Sequence, residues 1–244
     1  MLSVFKDHPF AVEAFFESSL VLTYAVPAAI LRQQVPRRLM LDTFLDEWAF
    51  IAIAIVKTRG LRPKGFPAFM GTDFILTGYR VFVRYTTPQG KNLRGLYILK
   101  SETDKRKMAF LGNLFTHYNY TTTDIQYTHQ HNQVQVHSEQ SGLHIVLNTG
   151  SPAAPLPTDS PFNSWKEARR FAGPLPFTFT CDGVVGKVLV IEGVRENWTP
   201  APVEVLESRI AFLQQSVWQE ARLANAFMIQ HIPYYWKKGK VDLW

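Results

Sequence analysis

The sequence predicts a β-rich α+β domain, and three observations carry that prediction. About ten segments read as strands against four short helical patterns. The strands come in runs joined by turn signals and do not alternate strictly with helices, as a doubly wound sheet would require. The balance of 46% hydrophobic and 19% charged residues is that of a folded chain, and 244 residues can bury a large core without disulfide staples.

The elements follow in order. Ser18 to Ala25 is apolar and β-branched enough for a strand. In the next segment, AVPAAILRQQVP, Pro27 suits the first turn of a helix and Pro36 ends it. LMLDTF and WAFIAIAIV read as strands, the second apolar on both faces and therefore central. RGLRPKGFPAFMG, rich in Gly and Pro, reads as a loop. FILTGYRVFVRY and RGLYILK form a hairpin around TTPQGKN.

DKRKMAFLGNLF predicts a short helix with Asp104 as its cap. DIQYTH and QVQVHS pair around the turn QHN, and LHIVLN is a further strand. The proline-rich segment 149–163 reads as a surface connection inside one domain covering residues 1–244. SWKEARRFAG carries capping-box spacing, Ser164 to Glu167, and Gly173 fits the C′ position. PFTFTC, KVLVIEG and VEVLESRIA are strands. SVWQEARLANAF starts with a second capping-box spacing, Ser216 to Gln219, and predicts the fourth helix. GKVDLW suits an edge strand.

Composition narrows the function classes. A single cysteine, Cys181, excludes an intramolecular disulfide, and its place in the row Phe177, Phe179, Cys181 suits a small buried hydrophobe. The first 20 residues are broken by Lys6, Asp7, His8, Glu13 and Glu17, so no signal peptide is expected. The longest apolar run, Trp48 to Val56, is far shorter than the ~20 residues of a membrane helix. A cytoplasmic location is expected, which leaves the glycosylation patterns at Asn119 and Asn197 without meaning. The net charge of +6 comes from basic residues scattered along the chain with no nucleic-acid motif, so no nucleic-acid partner is expected.

Candidate chemistry is sparse. His129, His131 and His137 lie around the turn QHN and read as the wet face of a hairpin, so no metal is expected. No phosphate or dinucleotide fingerprint and no G-x-S-x-G occurs, and no cofactor is expected. Arg80 is more informative. Its strand face carries Phe74, Leu76, Phe82 and Arg84, and the other face carries Ile75, Tyr79, Val81, Val83 and Tyr85. A partly buried guanidinium there needs a partner, either Glu17, Glu102 or an anionic ligand; the alternative is a surface arginine with its stem packed. Lys100 ends its strand and is a candidate amine nucleophile.

The stretch LFTHYNYTTTD is dense in polar and aromatic groups. Alternation places His117 and Asn119 on one side and Tyr118 and Tyr120 on the other. Hydrogen-bonding groups beside flat apolar walls suit a small-molecule pocket. His117, whose ordinary pKa is about 6.5, is a candidate general acid or base.

Several segments together resemble a known family: VPAAILRQQVPRRLMLDTF, RGLRPKG, GYRVFVRY, GLYILKSETD, the helix leading to HYNY, and RENWTPAPVEV. The chain resembles the YqjF-like family of uncharacterised bacterial proteins, within the acetoacetate decarboxylase-like superfamily. The resemblance implies a closed, cone-like antiparallel β-barrel with short flanking helices and an enclosed cavity. It also implies a lost function. The decarboxylases carry a Gly-x-Pro-Lys-Lys pattern after the short helix, one lysine forming a Schiff base. The matching stretch here, Thr116 to Tyr120, holds no lysine, and Glu17 stands opposite the family's substrate-binding arginine.

The expectation is a small-molecule pocket protein that binds a small organic acid or apolar carbonyl compound through Arg80, His117, Tyr118, Asn119 and Tyr120. The alternative is an enzyme on small oxo- or hydroxy-acids using His117 as acid/base or Lys100 as amine. Self-association into a homo-oligomer is left open.

Overall fold

The computed structural model describes residues 6–151, 154–173, 175–196 and 198–244. Residues 1–5 of the N-terminal stretch, Pro152 and Ala153 of the proline-rich segment, Pro174, and Asn197 of the second glycosylation pattern lie outside it. The described residues form fifteen strands and three α-helices. None of these helices is long and apolar enough to cross a membrane.

The long strands β1 (Val12–Pro27), β3 (Trp48–Pro63), β4 (Thr72–Thr86) and β5 (Asn92–Thr103) pair antiparallel in sequence order. On the far side of β1 lies β14 (Arg222–Trp236), also antiparallel. Beyond β5 the path continues through β10 (Phe177–Asp182), which pairs parallel to it, and then β11 (Lys187–Arg195). The path returns on itself, because Gly193–Arg195 of β11 pairs with Tyr234–Trp236 of β14. Short strands extend this sheet: β2 (Met40–Leu41) on β4, β6 (Tyr120–Thr122) on β5, β12 (Ala201–Pro202) on β14 and β15 (Lys240–Leu243) on β11. A second sheet has the order β13 (Glu204–Ile210), β9 (Leu143–Asn148), β8 (Gln133–Ser138), β7 (Gln126–Gln130).

The period-2 alternation of strands sends two rows of side chains to two destinations. Leu20 and Leu22 of β1, Ile51, Ile53 and Ile55 of β3, and Tyr79, Val81 and Val83 of β4 pack with Val134, Val136, Ile145 and Leu147 of the second sheet. These side chains are almost fully buried, and each is worth roughly 1.5–3 kcal/mol of burial. The intervening residues, Ser19 and Val21, Ala52, Ala54 and Val56, Arg80 and Phe82, face a cavity on the other side of the same strands.

The helices flank the sheet. In α1 (Ala28–Arg32), Pro27 stands at the N-cap, and Arg32 ties the following turn by donating to the carbonyls of Val35, Pro36 and Leu39. In α3 (Trp165–Phe171) the Ser164 hydroxyl accepts from the Glu167 amide at 3.2 Å, while the Glu167 carboxylate accepts from the Asn163 amide. In α2 (Arg106–Phe115) the expected cap is absent: Asp104 instead accepts from the Ile75 amide of β4 at 2.7 Å.

Two readings of the chain change. SVWQEARLANAF is not a helix: only a 3-10 turn forms at Ser216–Trp218, and the rest enters β14. Apolar residues on both faces there meet β1 on one edge and β12 and β11 on the other, and that pairing overrides a local capping pattern. RGLRPKGFPAFMG is only partly loop. Strand β3 runs on to Pro63 through an irregularity after Thr58, where Gly60 takes a left-handed φ of 62°.

Candidate functional site

The cavity has a volume of about 220 Å³. That is space for roughly seven waters at the liquid share of about 30 Å³ each, enough for a small organic molecule. Its walls are apolar for the most part, with Phe16, Phe74, Leu76, Phe82, Ile98 and Phe227 among them. The polar groups are few: Arg80, Arg195, Tyr118, Tyr120, Tyr234 and His8, with Ser and Thr hydroxyls. Among the described residues neither a carboxylate nor a lysine lines it.

Arg80 sits on the cavity row of β4. Gly78, two residues earlier on that row, makes room for it, since a Cβ there would lie 2.8 Å from Arg80 Nε. The Nε is buried without a hydrogen-bond partner. Both carboxylates that the sequence offered are engaged elsewhere. Glu17 takes Lys57 at 2.7 Å and Arg59 at 2.6 Å. Glu102 takes Lys100 at 2.7 Å, the Tyr79 hydroxyl at 3.1 Å and the Ser141 hydroxyl at 3.0 Å.

Arg195, at the end of β11, brings a second guanidinium. It donates to the Tyr234 hydroxyl at 3.3 Å and lies 4.3 Å over the Trp198 ring. Burial holds its pKa below the ordinary arginine value, Tyr234 opposes that shift, and the charge of Arg80 adds to it. Tyr234 stacks on Phe16 at 4.6 Å, and its hydroxyl occupies the space a Cβ on Gly193 would need. Arg195 and Tyr234 also border an outer hollow lined by Glu13, Arg59 and Arg62.

The turn after α2 supplies the two tyrosines. Thr116 donates to the Gly112 carbonyl at 2.7 Å, and its hydroxyl accepts from the Tyr118 amide at 3.3 Å. Asn119 takes a left-handed φ of 51°, which asparagine tolerates, and its side chain is exposed at the tip. Asn113 then brackets Tyr120, accepting from its amide at 2.7 Å and donating to its carbonyl at 2.9 Å. The Tyr120 ring lies against Gly112, where no Cβ fits. Tyr118 and Tyr120 end with ring centroids 6.2 Å apart. Burial pushes both phenols up, Tyr120 to about 12 with Arg80 opposing the shift, so both hydroxyls keep their protons at neutral pH.

The residues singled out in the sequence therefore divide. Arg80, Tyr118 and Tyr120 line the cavity. His117, Asn119 and Lys100 do not. His117 Nε2 lies 3.2 Å from Asp7, which also binds Lys187 at 2.9 Å. Lys100 is displaced by a bulge: Tyr79 pairs with Lys100 but Arg80 pairs with Ile98, leaving Leu99 as an extra residue in β5. That residue switches the faces, so Ser101 follows Leu96 and Ile98 into the cavity while Lys100 turns to Glu102 and the Tyr79 ring on the other side.

Three cavity groups had no place in the sequence reading: Arg195, Tyr234 and His8. Arg195 and Tyr234 meet only through the β11–β14 pairing. The one local signal is a glycine two residues before each arginine, Gly78-Tyr79-Arg80 and Gly193-Val194-Arg195, which clears space on the arginine's own face.

A family model, DUF2071, described as an uncharacterized conserved protein (COG2071), matches residues 14–225. Among solved structures, acetoacetate decarboxylase from Legionella pneumophila is 11% identical with a TM-score of 0.62, over 96% of this chain and 87% of that one. An acetoacetate decarboxylase-like enzyme from Sphingomonas wittichii RW1 is 10% identical with a TM-score of 0.59, over 98% and 94%. The enduracididine biosynthesis enzyme MppR, complexed with pyruvate, is 7% identical with a TM-score of 0.56, over 96% and 90%. At such identities the likeness shows the fold alone: a mostly β, acetoacetate decarboxylase-like architecture. No curated protein matches the chain.

Proposed function

This chain belongs to the DUF2071 family, and on that premise we propose that it binds a small organic acid in the cavity. Arg80 and Arg195 take the carboxylate, Tyr118 and Tyr120 donate hydrogen bonds to it, and the aromatic and aliphatic walls receive the apolar remainder. The observation that carries this reading is the buried, unpartnered Nε of Arg80 in a cavity with two guanidiniums and no carboxylate. A buried N–H without an acceptor is costly, and an anionic ligand supplies the missing acceptor beside the two positive charges. The pyruvate held by MppR is a small acid of the same kind.

In this reading the β11–β14 pairing closes the sheet into a cone with the cavity inside, and residues 1–244 act as one domain. Schiff-base chemistry has no support, because no lysine lines the cavity among the described residues. The enzymatic alternative through His117 or Lys100 is weakened by their places outside the lining.

Calorimetric titration with short alkanoates and 2-oxo acids tests the proposal. The expected result is saturable binding that Arg80→Gln abolishes while the variant stays folded. Equal binding by Arg80→Gln, or no binding of any acid to the wild-type protein, would sink it.

A further inference from the structure

His8 is a further unpartnered polar group of the cavity, besides Arg80 Nε and the indole Nε1 of Trp198. It lines the wall, is 5% exposed, and its ring Nδ1 is buried with no hydrogen-bond partner. Its backbone is strained twice over. It takes a left-handed φ of 53°, uncommon for a residue with a side chain, and it precedes Pro9, which further restricts it. Such strain persists only where the surroundings enforce it.

The clamps are visible. The His8 amide donates to the Phe115 carbonyl at 3.2 Å, and the Gly239 amide donates to the His8 carbonyl at 2.9 Å. One residue earlier, Asp7 is held by Lys187 and His117. One residue later but one, Phe10 packs edge-on against Phe115 at 5.0 Å. Five contacts from α2 and the turn after it, β11 and the β14–β15 connection thus hold an unsatisfied imidazole in a largely apolar cavity. Nothing in the packing needs a histidine there, since a buried ring of carbon would leave no orphan nitrogen.

We propose that His8 hydrogen-bonds a second polar group of the bound acid, so that the cavity selects acids bearing a hydroxyl or oxo group over plain alkanoates. This rests on the acid-binding reading above. The cavity then divides its work: Arg80 and Arg195 recognise the charge that all such acids share, and His8 distinguishes among them. Burial holds the imidazole pKa down at about 4, so at neutral pH the ring is uncharged and offers one donor and one acceptor. A hydroxyl or a carbonyl each finds its complement there, whereas a methylene leaves the nitrogen unpaired.

The test uses the full chain and hexanoate, compared by calorimetry with hexanoates carrying a hydroxyl or an oxo group at each chain carbon in turn. The wild-type protein is expected to prefer at least one substituted acid by about tenfold, the equivalent of one good hydrogen bond. In His8→Phe that preference collapses while hexanoate still binds. His8→Gly, whose backbone accepts the positive φ, is expected to lose the preference too and serves should the phenylalanine variant fail to fold. A wild-type protein that binds all these acids equally, or a preference that survives in His8→Gly, overturns the role of His8 and leaves the cavity reading standing. Failure of every acid to bind overturns the cavity reading, and this inference with it.

Discussion

Replacing Arg80 with methionine is expected to make the free protein more stable. The argument starts from the neighbours. Arg80 shares its strand face with Phe74, Leu76 and Phe82, its Nε is buried without a partner, and Glu17 and Glu102 are committed to Lys57, Arg59 and Lys100. A buried polar group left unsatisfied costs about 1–3 kcal/mol, and the like charge of Arg195 nearby adds repulsion. Methionine keeps an unbranched stem and adapts its shape to the wall, so little packing is lost. Arg80→Met is therefore expected to raise the unfolding free energy by about 1–3 kcal/mol, a rise in Tm of roughly 2–4 °C for each kcal/mol in a chain of this size. Urea unfolding followed by circular dichroism reads the change as a shift in midpoint at constant slope. Saturating acid offsets that gain: a ligand at a hundred times its Kd stabilises the wild-type protein by about 2.7 kcal/mol and leaves the variant unchanged. A variant destabilised by more than about 1 kcal/mol without ligand would refute the reasoning, because Arg80 would then be serving the fold.

Further outcomes follow from other sites. His8 protonates at about pH 4 in the folded protein and near 6.5 in the unfolded chain, so the unfolded state carries more protons between those values. Stability from this group is full above pH 6.5 and falls as the pH drops toward 4, by up to about 3 kcal/mol; His8→Asn, which tolerates the backbone conformation, should flatten that slope in pH-dependent unfolding. Asp42 is completely buried and takes Arg84 and Arg94 at 2.6 Å each. Both arginines reach solvent, so Asp42→Ala is expected to cost the charged hydrogen bonds, about 2 kcal/mol, without stranding a buried cation, a loss measurable by denaturant unfolding. Gly193→Ala sets a methyl group against the Tyr234 hydroxyl and should weaken acid binding by moving Tyr234 off Arg195, read by the same calorimetric titration. Borohydride reduction in the presence of pyruvate should leave the intact mass unchanged; a stoichiometric adduct on any lysine would show that an amine reaches the ligand.

The fold was legible where the local pattern and the long-range pairing agree. The two rows of FILTGYRVFVRY separate as alternation requires: Arg80 and Phe82 face the cavity, while Tyr79, Val81 and Val83 enter the core between the sheets. The same alternation separates Tyr118 and Tyr120 from His117 and Asn119, although a left-handed turn at Asn119 carries out the reversal. Lys100, read as a strand-end candidate amine, turns away from the cavity because of a bulge that leaves no local mark. Leu99 looks like any strand residue, and only the register against β4 shows that it is supernumerary. The helix read over SVWQEARLANAF failed for the complementary reason, since a correct local capping pattern met stronger pairing on both edges of β14.

The cavity itself was least legible, because its polar groups come from five remote parts of the chain. His8 precedes the first strand, Arg80 lies in β4, Tyr118 and Tyr120 follow α2, and Arg195 meets Tyr234 where β11 joins β14. Each is unremarkable in its own window, and only their convergence creates a chamber with two cations and no anion. What the sequence does carry is the clearance they need. Gly78, Gly112 and Gly193 each stand where a Cβ would strike Arg80, Tyr120 or Tyr234. A fold that only had to close would fill those positions with side chains, since a glycine in a strand or helix costs roughly 0.5–1 kcal/mol against alanine. Bearing that cost at three positions beside cavity side chains, together with orphan nitrogens on Arg80, His8 and Trp198, is what the proposed binding of a small acid accounts for.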